Sequence, residues 1–308
     1  MRRLGCSAIF LLALAIVALA LSAYRAQDYR ARFARAAGEL VAVRDSTEVG
    51  RTADGYRLTE VTLVSDTGLE ARVRVRSPGL MDGVRRPAAI VLGGYRTSAG
   101  AVEVPPTTGG LVLASPSYPY RDSDRPRGIG WLWGVFRVRH AMMQTPPAVL
   151  LLAQYLYARE DVDPERVSII GVSLGVPFAT VAAATDRRLA GAALLHGGGD
   201  VSMLFAGVYR DRLPGWALGP LAVGVELLLA PLEPTKYVGA ISPRPLYMIN
   251  ATDDELIPRP SVLALYRAAG RPKRILWLDS RHVALSEERM LAELMDETLA
   301  WMTAAGLR

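Results

Sequence analysis

Apolar residues gather in six short, nearly continuous runs: Ala88 to Leu92, Leu111 to Ala114, Val167 to Ile170, Ala192 to Leu195, Leu246 to Ile249 and Ile275 to Leu278. Runs without polar alternation predict strands buried on both faces, as in a parallel sheet. Upstream, Tyr56 to Ser65 and Leu69 to Arg76 flank Asp66-Thr67-Gly68, and Ala71 to Arg76 alternates apolar residues with Arg. That pattern predicts an antiparallel hairpin with one solvated face. Helices are predicted between the later runs. Thr145 caps one that has Pro146 in its first turn and runs through Arg159, and another carries Pro177 near its start and ends near Thr185. The last is opened by Ser286, Glu287 and Glu288 and sets Leu291, Leu294, Met295 and Met302 on one face. Strand and helix therefore alternate. The predicted class is α/β, a mostly parallel sheet with helices on both faces, entered by the hairpin.

The N-terminus follows a different pattern. Arg2 and Arg3 precede Leu4 to Ala23, twenty residues without a charge, long enough at about 1.5 Å per residue to cross a bilayer core of about 30 Å. Residues 1–23 read either as a signal peptide, with Ala20 and Ser22 forming an A-x-S cleavage site, or as an N-terminal membrane anchor with the arginines held inside. Both readings predict an exported protein, either membrane-anchored and facing outside the cytoplasm or periplasmic or secreted. Arg- and Ala-rich residues 24–45 read as a spacer, and 46–308 as one domain. The net charge is +6, but the arginines are scattered without a basic block, so no nucleic-acid partner is expected. Cys6 stands alone, which excludes an internal disulfide, and three histidines without a C-x-x-C pair leave little material for a structural zinc site.

The chemistry concentrates after the run ending at Ile170. Gly171-Val172-Ser173-Leu174-Gly175 is a G-x-S-x-G between a predicted strand and a predicted helix, the context that presents a nucleophilic serine. A serine hydroxyl needs a base to take its proton and an acid to orient that base. Of the histidines, His282 lies in a loop beyond the last apolar run, His140 in a polar stretch expected at the surface, and His196 at a strand end before Gly197-Gly198-Gly199. The H-G-G-G follows the serine instead of preceding it, so it reads as a tight turn beside the site. Asp253, Asp254 and Glu255 compete as the acid after the run Leu246 to Ile249.

With these residues the chain resembles the α/β-hydrolase superfamily over about residues 56–305, most closely its dienelactone-hydrolase-like and prolyl-oligopeptidase-like esterases. Those proteins carry G-x-x-D followed by apolar residues and Pro at the acid loop. Laid on that pattern, Ala251 stands in the glycine position, Asp254 in the acid position, and Asp253 is the fallback. The resemblance implies a Ser173, Asp254, His282 triad in the family's chain order. It also implies an oxyanion hole from the backbone amides of Leu174 and Tyr95, the latter after Gly93-Gly94, with no metal or organic cofactor. A lid insertion before the acid-bearing strand falls at about 200–242. It holds Phe205, Trp216 and the apolar stretch Leu221 to Leu232, which suits an uncharged or acyl substrate. The implied activity is hydrolysis of a small carboxylic ester or thioester through an acyl-enzyme. The alternatives are a prolyl-oligopeptidase-like peptidase and a non-catalytic binding protein on the same fold. Arg121, Arg125 and Arg127, in the long connection from Pro116 to Gln144, offer an attraction for an anionic substrate or a merely solvated loop.

Overall fold

All six apolar runs and both hairpin runs are strands in the computed structural model, which describes residues 15–78, 83–94, 96–120 and 131–308. Among these residues one nine-stranded sheet forms. Its strands are β1 (Leu40–Arg51), β2 (Arg57–Ser65), β3 (Glu70–Ser77), β4 (Arg86–Leu92) and β5 (Val112–Pro116), followed by β6 (Val162–Val172), β7 (Ala192–Leu195), β8 (Leu246–Ala251) and β9 (Lys273–Leu278). Their order is β1-β2-β3-β5-β4-β6-β7-β8-β9; β1, β2, β3 and β5 pair antiparallel in turn, and every pairing from β5 through β4 to β9 is parallel.

Alternation of side chains across the pleat divides the core in two. Ala88, Ile90 and Leu92 of β4 face one layer, and Ala89 and Val91 face the other. The first layer is closed by helices α2 (Arg30–Ala37), α3 (Trp131–Ala158), α4 (Gly175–Thr185) and α7 (Arg259–Ala268). The second is covered more thinly, by the C-terminal helix α8 (Glu288–Ala304) and a single 3-10 turn, Ser98–Val102, between β4 and β5. Between β7 and β8 the predicted insertion contains α5 (Val201–Tyr209) and α6 (Gly215–Leu229). The stretch Gly215–Leu232 is long and apolar enough to cross a membrane by length and composition.

Two expectations are corrected. Residues 24–45 are not a spacer: Tyr29, Phe33 and Ala37 are buried in the first layer, and Leu40 begins β1, which pairs along β2. Short, Arg-rich helices hide such contributions, because only one side of α2 is apolar. Thr145 does not cap a helix. It lies inside α3, its hydroxyl donating to the Ala141 carbonyl at 3.1 Å, with Pro146 and Pro147 in the helix interior. Before the domain, α1 covers Ala15–Ala26 among the described residues and exposes Ile16, Val17 and Leu19. Its C-terminal end meets the domain where Arg25 pairs with Glu226 at 3.0 Å.

Arg76 of β3 is an exception to the solvated hairpin face. Its side chain is 2% exposed, pairs with Asp54, and donates to the carbonyls of Val102 (3.1 Å) and Pro105 (2.7 Å) in the β4–β5 connection. A guanidinium has enough donors to satisfy all three acceptors, which is what makes its burial tolerable.

Candidate active site

The parallel half of the sheet delivers the chemistry to one edge. Ser173 follows β6, with φ of +54°, an uncommon conformation for a residue with a side chain and one found where function demands it. Gly175 makes the turn possible. A Cβ there would sit 2.0 Å from the Leu92 carbonyl oxygen, so α4 could not start this close to β4 with any other residue. Leu174 is the N-cap of α4, so Ser173 stands at a helix N-terminus, whose dipole favours negative charge. Tyr95, the other expected donor, lies outside the described residues; its neighbour Gly94 lines the cavity that contains Ser173.

Ser173, Asp254 and His282 are brought together. Ser173 Oγ and His282 Nε2 are 2.9 Å apart, and His282 Nδ1 lies 2.8 Å and 3.0 Å from Asp254 Oδ2 and Oδ1. Asp254 follows β8, and its Oδ1 also accepts the amides of Leu256 (2.9 Å) and Ile257 (2.8 Å). Burial alone would raise the Asp254 carboxyl, but the adjacent imidazoles of His196 and His282 and the Ile257 amide together hold it well below the usual carboxylate range. Asp253 is exposed and its amide donates to the Ser280 carbonyl at 3.1 Å. Glu255 braces the histidine loop, accepting the His282 amide at 3.2 Å and pairing with Arg281.

His196 has a larger place than a tight turn suggests. It ends β7 with φ of +48°, is fully buried, and sets its ring edge-on to that of His282 at 5.5 Å. Its Nδ1 accepts the Val283 amide at 3.3 Å and lies 3.5 Å from Asp254 Oδ2. The signal in the sequence was its position, at the carboxyl end of the strand adjoining that of the serine. His196, Asp254 and His282 bring three potential metal-ligand atoms within 4.8 Å. Both ring nitrogens of His282 are already engaged, however, one by Ser173 and one by Asp254, the arrangement of a proton relay. His140 is exposed on α3 beside Gln144, away from this edge.

A cavity of about 570 Å³ opens at Ser173 and His282. Among the described residues none of its lining comes from α5 or α6. A second cavity, about 370 Å³, is lined by Leu174, Tyr118, Phe178 and α3 residues that include Met142.

No family model and no curated relative matches this sequence. Solved structures do. An acetyl xylan esterase from a Paenibacillus species is 15% identical, with a TM-score of 0.65 over 87% of this chain and 93% of that one. Acetyl xylan esterase 1 from a Thermoanaerobacterium species is 18% identical, with a TM-score of 0.61 over 88% and 93%. A puromycin-hydrolysing peptidase from Mycobacterium tuberculosis is 15% identical, with a TM-score of 0.57 over 84% of this chain and 41% of that one. With the sheet order and the helix layers, these likenesses establish the α/β-hydrolase fold.

Proposed function

We propose that this protein is a serine hydrolase that cleaves carboxylic esters or thioesters through an acyl-enzyme. The reading is carried by the unbroken hydrogen-bonded chain from Ser173 Oγ through His282 to Asp254. Ser173 Oγ attacks the ester carbonyl while His282 Nε2 takes its proton. Asp254 holds His282 with its proton on Nδ1 and stabilises the imidazolium. The oxyanion is met by the Leu174 amide and by that of Tyr95. His282 then protonates the departing alcohol or thiol, leaving Ser173 acylated. Water, deprotonated by the same nitrogen, hydrolyses the acyl-enzyme and restores the serine. The esterases among the structural neighbours support this reaction class.

A fluorophosphonate probe is expected to label the wild type at Ser173 and to leave Ser173→Ala unlabelled. A folded wild type that resists labelling would refute the mechanism. Peptide hydrolysis is the second reading, favoured by the peptidase neighbour, although this chain spans less than half of that protein. Turnover of aminoacyl amides faster than of p-nitrophenyl esters would establish it over the esterase reading. The uncharged run Leu4 to Ala23 would carry the domain out of the cytoplasm and, if uncleaved, hold it at the membrane.

A further inference from the structure

The cavity at Ser173 does not stop at the sheet edge. It continues down one face of the sheet, between the strands and α8. Its floor is Val91, Leu113, Ile170 and Leu195, from four adjacent strands, and its opposite wall is Leu291, Leu294, Met295 and Thr298 of α8. From Leu291 to Thr298 the helix advances about 10 Å, so the lining reaches well past the serine.

The space exists because the β4–β5 connection does not build a helix beside α8. Pro105-Pro106 and Gly109-Gly110 interrupt it, and among its described residues only the turn Ser98–Val102 forms. Ala101, Val104 and Pro105 of this connection, with Arg96 and Thr97 nearer β4, form a third wall. Further along, α8 is pressed home: Trp301 stacks on Tyr247 with ring centroids 5.4 Å apart, and a Cβ on Gly109 would fall 2.5 Å from Leu299 Cδ1. The channel is thus open at Ser173 and closed beyond Thr298. Its strand floor and its α8 wall carry no charged side chain, the charged residue of the described lining being Arg96 in the segment that follows β4, and the Thr298 hydroxyl is already donated to the Leu294 carbonyl at 2.7 Å. Hydrocarbon meets no desolvated polar partner there, whereas a sugar or a peptide side chain with polar groups would leave them unpaired.

We propose that this channel binds the acyl chain of the substrate, and that the protein prefers esters of medium- or long-chain fatty acids over acetyl esters. The proposal rests on the ester-hydrolase reading of Ser173 for its catalytic consequence, but the channel can be tested without catalysis. Wild-type kcat/KM is expected to rise at least tenfold from p-nitrophenyl acetate to the octanoate, with early methylenes contributing about two- to fourfold each. Thr298→Trp, which fills the closed end, and Ala101→Phe, which fills it from the opposite wall, should each lower the octanoate-to-acetate ratio at least tenfold. In the Ser173→Ala protein, calorimetry should detect decanoate binding that is lost when Thr298→Trp is added.

A labelled, active wild type that hydrolyses acetate as fast as octanoate would overturn the channel assignment while leaving the hydrolase reading intact. Decanoate that fails to bind Ser173→Ala would also overturn it. Preference for octyl acetate over ethyl octanoate would assign the channel to the alcohol and reject the acyl proposal. An unlabelled wild type whose Ser173→Ala form still binds decanoate would sink the catalytic reading and keep the channel.

Discussion

Replacing Asp254 by Asn tests the relay at its most constrained atom. In the native site Oδ1 accepts two backbone amides, Leu256 at 2.9 Å and Ile257 at 2.8 Å, while Oδ2 faces His282 Nδ1 at 2.8 Å. An Asn side chain has one acceptor and one donor end. Turning its NH2 towards the two amides would set donors against donors, so the oxygen keeps that place and the NH2 faces His282. His282 must then accept at Nδ1 and carry its proton on Nε2, the atom that should take the proton from Ser173. The base is presented in the wrong tautomer, and the imidazolium loses its anion. The expected loss in kcat is about 10⁴-fold, or about 5.4 kcal/mol of transition-state stabilisation. Folding should suffer far less, by about 1–3 kcal/mol, since the backbone amides keep their acceptor. Initial rates of p-nitrophenol release and urea melts separate the two effects. A folded Asp254→Asn protein within tenfold of wild-type kcat/KM would refute the reasoning, as would an equal loss in Asp253→Asn.

Three further outcomes are expected. Gly175→Ala places a Cβ against the backbone of Leu92, 2.0 Å from its oxygen; it should cost about 1–3 kcal/mol in a denaturant melt and, by moving the head of α4, about 10²-fold in turnover. Because the native Asp254 carboxyl is held below its ordinary value, its ionisation stabilises the fold fully above about pH 4 and ceases to do so as pH falls through the native value. The stability gap between wild type and Asp254→Asn should therefore shrink as pH falls below about 4; urea melts showing a gap that widens from about pH 4 to about pH 2 would contradict this. Residues 1–23 fused to alkaline phosphatase should give the activity that this reporter shows only outside the cytoplasm, and an inactive, cytoplasmic fusion would reject export.

The strands and the serine turn were legible because their signals are local. Ala192 to Leu195 matches β7 at both ends, and G-x-S-x-G at a strand end leaves the backbone little choice. Asp254 was legible only through the family's loop pattern; nothing local separates it from Asp253, and the distinction arises when one carboxylate turns inward to Leu256, Ile257 and His282. Contacts between distant segments left no periodic trace. Phe33 is buried because the sheet presents a surface to it, and α3 reaches back to Trp131 because packing carries a helix through Pro146 and Pro147. The contact between His196 and Asp254 required knowing that β7 and β8 are neighbours. The channel beside α8 was the least legible, since it results from a helix that the β4–β5 connection does not form.

Arg76 gives the N-terminal hairpin a say in selectivity. Its guanidinium holds the carbonyls of Val102 and Pro105, and the segment it fixes is a wall of the cavity at Ser173. The serine, aspartate and histidine instead follow the parallel strands β6, β8 and β9. The hairpin is therefore a gauge attached to an engine built elsewhere in the sheet. If Ser173 acts on esters as proposed, insertions or tags around β2 and β3 should alter which esters fit before they alter whether any are cut, because this region carries none of Ser173, Asp254 and His282.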